Sequence, residues 1–105
     1  MEIKFDKTYL DELFYAGKTT DKKYRFQPQV AKKYRKTIDI LEAVSCVEDL
    51  FRYNGLQYEV LLGDKKGLES VRVNDQYCIE IKTTKVVSET VITISNIVEL
   101  SNHYQ

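Results

Sequence analysis

The residues able to do chemistry in this 105-residue chain are few, and most of them are cationic. Gly63-Asp64-Lys65-Lys66-Gly67 sets two lysines between glycines, a turn that can grip a phosphate or an acidic partner, or simply be a good turn. Arg72 follows, and the polar end Ser101-Asn102-His103-Tyr104-Gln105 carries the one histidine, an acid or base or merely a solvated side chain. Cys46 and Cys78 stand 32 residues apart with no CxxC, so neither a disulfide framework nor a zinc site is encoded, and Cys78 reads as a small space filler. No GxGxxG, GxxxxGK[ST], GxSxG or HExxH occurs, which removes support for nucleotide-binding loops, serine-hydrolase elbows and zinc hydrolases.

Charge is distributed more sharply than its zero sum indicates. Between Lys18 and Lys36 lie eight basic residues, Lys32 and Lys36 among them, against the single acid Asp21, so the rest of the chain is acidic. Such a segment can hold a phosphate backbone or an acidic partner, or be a solvated helix face. A hydrophobic fraction of 43% with 30% charged residues is that of a folded globular chain, and the length fits one domain over residues 1–105. No window has the roughly 18 apolar residues of a membrane span, and the start lacks a signal-peptide core. The expectation is a cytoplasmic protein without membrane association.

These residues must be positioned by helices first and strands afterwards. Glu2-Ile3-Lys4-Phe5 alternates as a short strand, and Asp6 offers an N-cap to a helix carrying Leu10, Leu13 and Phe14 and closed by Gly17. Pro28 opens a longer helix to about Val44, with Val30, Tyr34, Ile38, Leu41 and Ser45 as its inner stripe and Lys32, Lys33, Arg35 and Lys36 on the other side. Ser45-Cys46-Val47-Glu48 matches a capping box for a third, short helix ending near Asn54-Gly55. From Tyr58 the period becomes two, predicting antiparallel strands over 57–62, 69–73, 77–83 and 90–100. If Asn74-Asp75-Gln76 is a three-residue loop, Arg72 faces Cys78. Val71, Val73, Tyr77, Ile79 and Ile81 then point into the core, while Arg72, Cys78, Glu80 and Lys82 line an exposed second face.

The string Tyr58-Glu59-Val60-Leu61, Gly63 to Gly67, Ser70-Val71-Arg72-Val73-Asn74-Asp75-Gln76-Tyr77, then Val98-Glu99-Leu100, resembles the HigB branch of the RelE/ParE toxin superfamily. Phe14 to Thr20 and the basic helix from Pro28 are similar too. The resemblance implies an α+β RelE-like single domain, an N-terminal strand and two to three helices packed on a mostly antiparallel sheet of four to five strands. It also implies a toxin of a bacterial type II toxin–antitoxin pair that enters the ribosomal A site and cuts translated mRNA without metal or cofactor. A HigA-like helix-turn-helix antitoxin is the implied partner, in a toxin–antitoxin hetero-oligomer.

In that chemistry the RNA 2′-hydroxyl attacks the adjacent phosphate, and cationic side chains stabilise the charge that builds there. Arg72 matches the family's strand arginine, its planar fork suited to two phosphoryl oxygens. Lys65 and Lys66 would hold the RNA backbone, His103 or Glu59 would handle protons, and Tyr104 would stack on a base beside Asn102. The segment after the hairpin, usually aromatic-Arg-Ile in the family, here reads Tyr77-Cys78-Ile79. Where many members have a histidine and a lysine before the turn, this chain has Glu59 and Leu62. A second function is therefore a weakened or inactive toxin that binds its antitoxin and tunes repression of their operon; a third is the gyrase-poisoning branch.

Overall fold

The computed structural model describes residues 1–102, so His103 and Tyr104 lie outside the described residues. Alternating apolar residues build five strands: β1 (Glu2–Phe5), β2 (Glu59–Val60), β3 (Glu69–Arg72), β4 (Tyr77–Val87) and β5 (Val91–Asn102). They form one mixed sheet in the order β1-β5-β4-β3-β2, antiparallel except where β1 joins β5 in parallel. Two helices, α1 (Thr8–Ala16) and α2 (Pro28–Ala43), pack on one side. This is the α+β architecture expected.

The core forms where α1 and α2 meet the sheet: Leu10, Leu13, Tyr34, Ile38 and Leu41 lie against Val71, Ile79, Ile81 and Ile97, all fully buried. The Tyr34 hydroxyl donates to the Leu10 carbonyl at 2.8 Å, satisfying the buried phenol and joining the helices; burial raises its pKa. The Met1 ammonium donates to the carbonyls of Leu41, Glu42 and Val44, placing a cation at the C-terminal end of α2, where the helix dipole favours it. Truncating one of these buried leucines or isoleucines to alanine would cost about 2–5 kcal/mol.

Several local expectations are corrected. Asp6 does not cap α1: its N–H donates to the Ile97 carbonyl at 2.9 Å, prolonging the β1–β5 pairing, and Lys7 occupies the N-cap without a side-chain bond. The capping box does not form either. Ser45 is exposed rather than part of the inner stripe, and its N–H donates to Asp49 Oδ2 at 3.3 Å. The third helix is a 3-10 turn over Val47–Arg52, followed by another over Asn54–Leu56, and the residue with positive φ is Gln57 rather than Gly55. The strand expected at 57–62 shortens to two residues, while β4 and β5 run on as a long hairpin past their neighbours. Val86, Val87, Val91 and Ile92 are exposed at its tip.

Candidate functional site

The geometry starts at the hairpin between β3 and β4. Asn74 Oδ1 accepts from the N–H groups of Gln76 (2.9 Å) and Tyr77 (2.7 Å), and the Val73 N–H donates to the Tyr77 carbonyl (3.0 Å). That Asx turn sets the register, so Arg72 lies opposite Cys78 and Ser70 opposite Glu80, as the three-residue loop predicts. Val71, Ile79 and Ile81 then point at the helices and are fully buried. On the second face two rows cross the sheet: Arg72, Cys78 and Ser101, and next to it Glu59, Ser70, Glu80 and Glu99.

This face is not the open surface the alternation implies. Ser70, Cys78 and Glu80 are buried, because the loop before β3 folds back across them. Gly63 and Gly67, both with positive φ, turn the chain through a 3-10 turn over Gly63–Lys65, and Lys65 Nζ donates to Glu80 Oε2. The Glu80 side chain is only 5% exposed while that of Lys65 is 50% exposed, so the contact is buried on the acid side and wet on the lysine side. The Glu80 carboxylate raises the Lys65 pKa and keeps its charge. Lys66, next in sequence, is exposed.

Arg72 is tied back to its own hairpin: Nε donates to the Asn74 carbonyl at 3.2 Å and Nη2 to Asp75 Oδ1. Asp75 is largely exposed, so this ion pair is worth at most about 1 kcal/mol. Beside it, burial pushes the Cys78 thiol up, with Glu80 and Glu59 adding to the shift against a Ser70 hydrogen bond and Lys65. Cys78 is thus a neutral thiol near pH 7 and supplies neither charge nor a nucleophilic thiolate.

The structure sets Arg72, Lys65 and Glu59 on one sheet face, with Lys65 held by Glu80 and the Arg72 guanidinium turned to its own hairpin, and leaves other expected residues elsewhere. Asn102 pairs with Tyr77 and shares the helix-side face, so it stands at the rim rather than beside Arg72. Lys32 and Lys36 are exposed on α2, which covers the opposite side of the sheet. Sequence reasoning placed Glu80 on the correct face but missed its hold on Lys65; the available signal is a carboxylate within the apolar run Tyr77-Cys78-Ile79-Glu80-Ile81. Glu69 is a second buried carboxylate. It accepts from the Tyr58 hydroxyl (2.9 Å) and from the Thr83 N–H (3.2 Å) and hydroxyl (2.5 Å), and so locks the sheet edge on the helix side.

Solved structures share this architecture. A YoeB/ParE toxin from Agrobacterium tumefaciens superposes with a TM-score of 0.57 at 17% identity, over 99% of this chain and 100% of that one. A YafQ variant from E. coli gives 0.50 at 14% identity, over 97% and 92%. The chain belongs to the HigB-like toxins: the family model described as the RelE-like toxin of type II toxin–antitoxin system HigB matches residues 3–93. A toxin of that kind has an antitoxin as its partner. No curated protein matches the chain. No helix among the described residues is long and apolar enough to cross a membrane.

Proposed function

We propose that this toxin is a ribosome-dependent mRNA endonuclease, metal-independent, acting in the ribosomal A site and held inactive by a HigA-like helix-turn-helix antitoxin. The RNA 2′-hydroxyl attacks the adjacent phosphate, the bond to the 5′-oxygen breaks, and a cyclic phosphate remains on the upstream fragment. Arg72, released from Asp75, stabilises the charge growing on the phosphoryl oxygens, and Lys65 and Lys66 hold the strand. Glu59 stands on the same face, able to take the 2′-hydroxyl proton, and His103 and Tyr104 complete proton transfer and base stacking from the end of the chain. Lys32 and Lys36 form a separate basic surface for ribosomal RNA or an acidic antitoxin segment.

The observation carrying this reading is that Arg72 and Lys65, seven residues apart on different elements, lie on one sheet face in adjacent rows, Arg72 opposite Cys78 and Lys65 bonded to Glu80. Induced expression in a bacterial host lacking the antitoxin tests it, with growth and mRNA 5′ ends followed in one culture. Growth arrest with new ends inside translated regions is expected, and Arg72→Ala should lower cleavage ~10²- to 10³-fold while staying folded. Normal growth with soluble, folded protein would instead favour a toxin reduced to antitoxin binding.

A further inference from the structure

The nuclease reading leaves unexplained a carboxylate buried on the face that receives a phosphate. Glu80 sits on the central strand β4 with its side chain 5% exposed. An isolated negative charge there is unfavourable for the fold and repels the substrate, so its presence calls for a compensating cation. That cation is Lys65, carried on the loop between the hinge glycines Gly63 and Gly67. Glu99, opposite Glu80 on β5, has its own cation in Lys7 at 3.8 Å.

We propose that Glu80 is a positioning residue: it pins the Lys65 ammonium beside the Arg72–Cys78 row so that its remaining donors meet the RNA phosphate. This role rests on the nuclease reading. An ammonium carries three N–H donors, and one is spent on Glu80 Oε2. Lys65 is half exposed, so the others are open to solvent and to a ligand on that side. A lysine is a point charge on a flexible stem, and fixing the stem beforehand removes the ordering that a phosphate would otherwise have to impose. The pinned lysine also stands near enough to Cys78 to act on its thiol, which places its open donors next to the Arg72–Cys78 row.

The test is a double-mutant cycle on the full chain. Single-turnover cleavage is measured on bacterial ribosomes programmed with labelled mRNAs randomised at the A-site codon, giving the maximal rate and the half-saturating concentration separately. Lys65→Met should lower the maximal rate about tenfold or more. Glu80→Gln, which keeps the shape but not the charge, should lower it severalfold, Glu80→Asp should recover part of the loss, and Glu80→Gln should add nothing in the Lys65→Met background. Carbon-13 shifts of the Lys65 ε-methylene supply an independent readout, and its titration should move down in Glu80→Gln. An equal loss from Glu80→Gln in both backgrounds, or an unmoved Lys65 titration, would overturn the positioning role. Cleavage by the wild type with an unchanged maximal rate in Glu80→Gln would overturn it alone. Absence of cleavage by the wild type would overturn the nuclease reading and this role with it.

Discussion

Burial raises the Tyr9 phenol to about 12, against an opposing hydrogen bond from the Leu100 N–H at 3.2 Å. The neutral form is therefore favoured in the folded chain. Its stabilisation is fully present below pH ~10, where an unfolded tyrosine starts to ionise, and is lost as pH rises toward 12. At two pH units this amounts to about 2–3 kcal/mol, and denaturant titrations between pH 9 and 12 should show a decline that is shallower in Tyr9→Phe. A decline of equal steepness in both proteins would assign alkaline sensitivity to Tyr34 or Tyr58, whose phenols burial also raises. At this scale the sequence was readable wherever a local rule applied. Asn74 makes its own turn, and that turn alone places Arg72 opposite Cys78. It was unreadable where the partner is distant: nothing near Glu80 announces Lys65, 15 residues away.

Helix α2 shows how far an element can be read from its pattern: Pro28 marks its start, and Val30, Tyr34, Ile38 and Leu41 mark the buried stripe. Apolar spacing and the fixed φ of proline are strong local terms, and they agree with the packing. The capping box failed because Asp49, rather than Ser45 and Glu48, takes up the local backbone donor, a choice worth too little for sequence to decide. The β4–β5 hairpin was read too short, since beyond Ile94, where β1 joins β5, its last residues Lys85–Val87 and Val91–Thr93 pair only with each other. That tip is also where the sheet is least protected. Free backbone edges flanked by Val86, Val87, Val91 and Ile92 invite edge-to-edge association. Val87→Lys with Val91→Lys should lower light scattering by concentrated protein while changing unfolding stability by less than about 1 kcal/mol. A large loss of stability would mean that the tip is packed after all.

For the molecule as a whole, the fold was legible because the switch from helical to alternating period falls once, near Tyr58. The activity was less legible because the mixed charges of that sheet face, Arg72 and Lys65 against Glu59 and Glu80, are compatible both with the proposed nuclease and with a toxin reduced to antitoxin binding. One topological detail bears on how the toxin comes into being. The parallel partner of Glu2 is Ile94, so the first strand made has to wait for almost the last before its ladder closes. At roughly 5–20 residues per second that delay is about 5–20 s, during which Leu10, Leu13 and the α2 stripe lack much of the sheet they pack on. Chains stalled on the ribosome before residue 94 has emerged should remain sensitive to mild proteolysis, whereas released chains should be resistant; equal resistance would show that the helices and the β3–β4 pair suffice. The consequence is temporal: the sheet closes only when nearly the whole chain has been made, so the folded toxin and its need for an antitoxin arise together, late in synthesis.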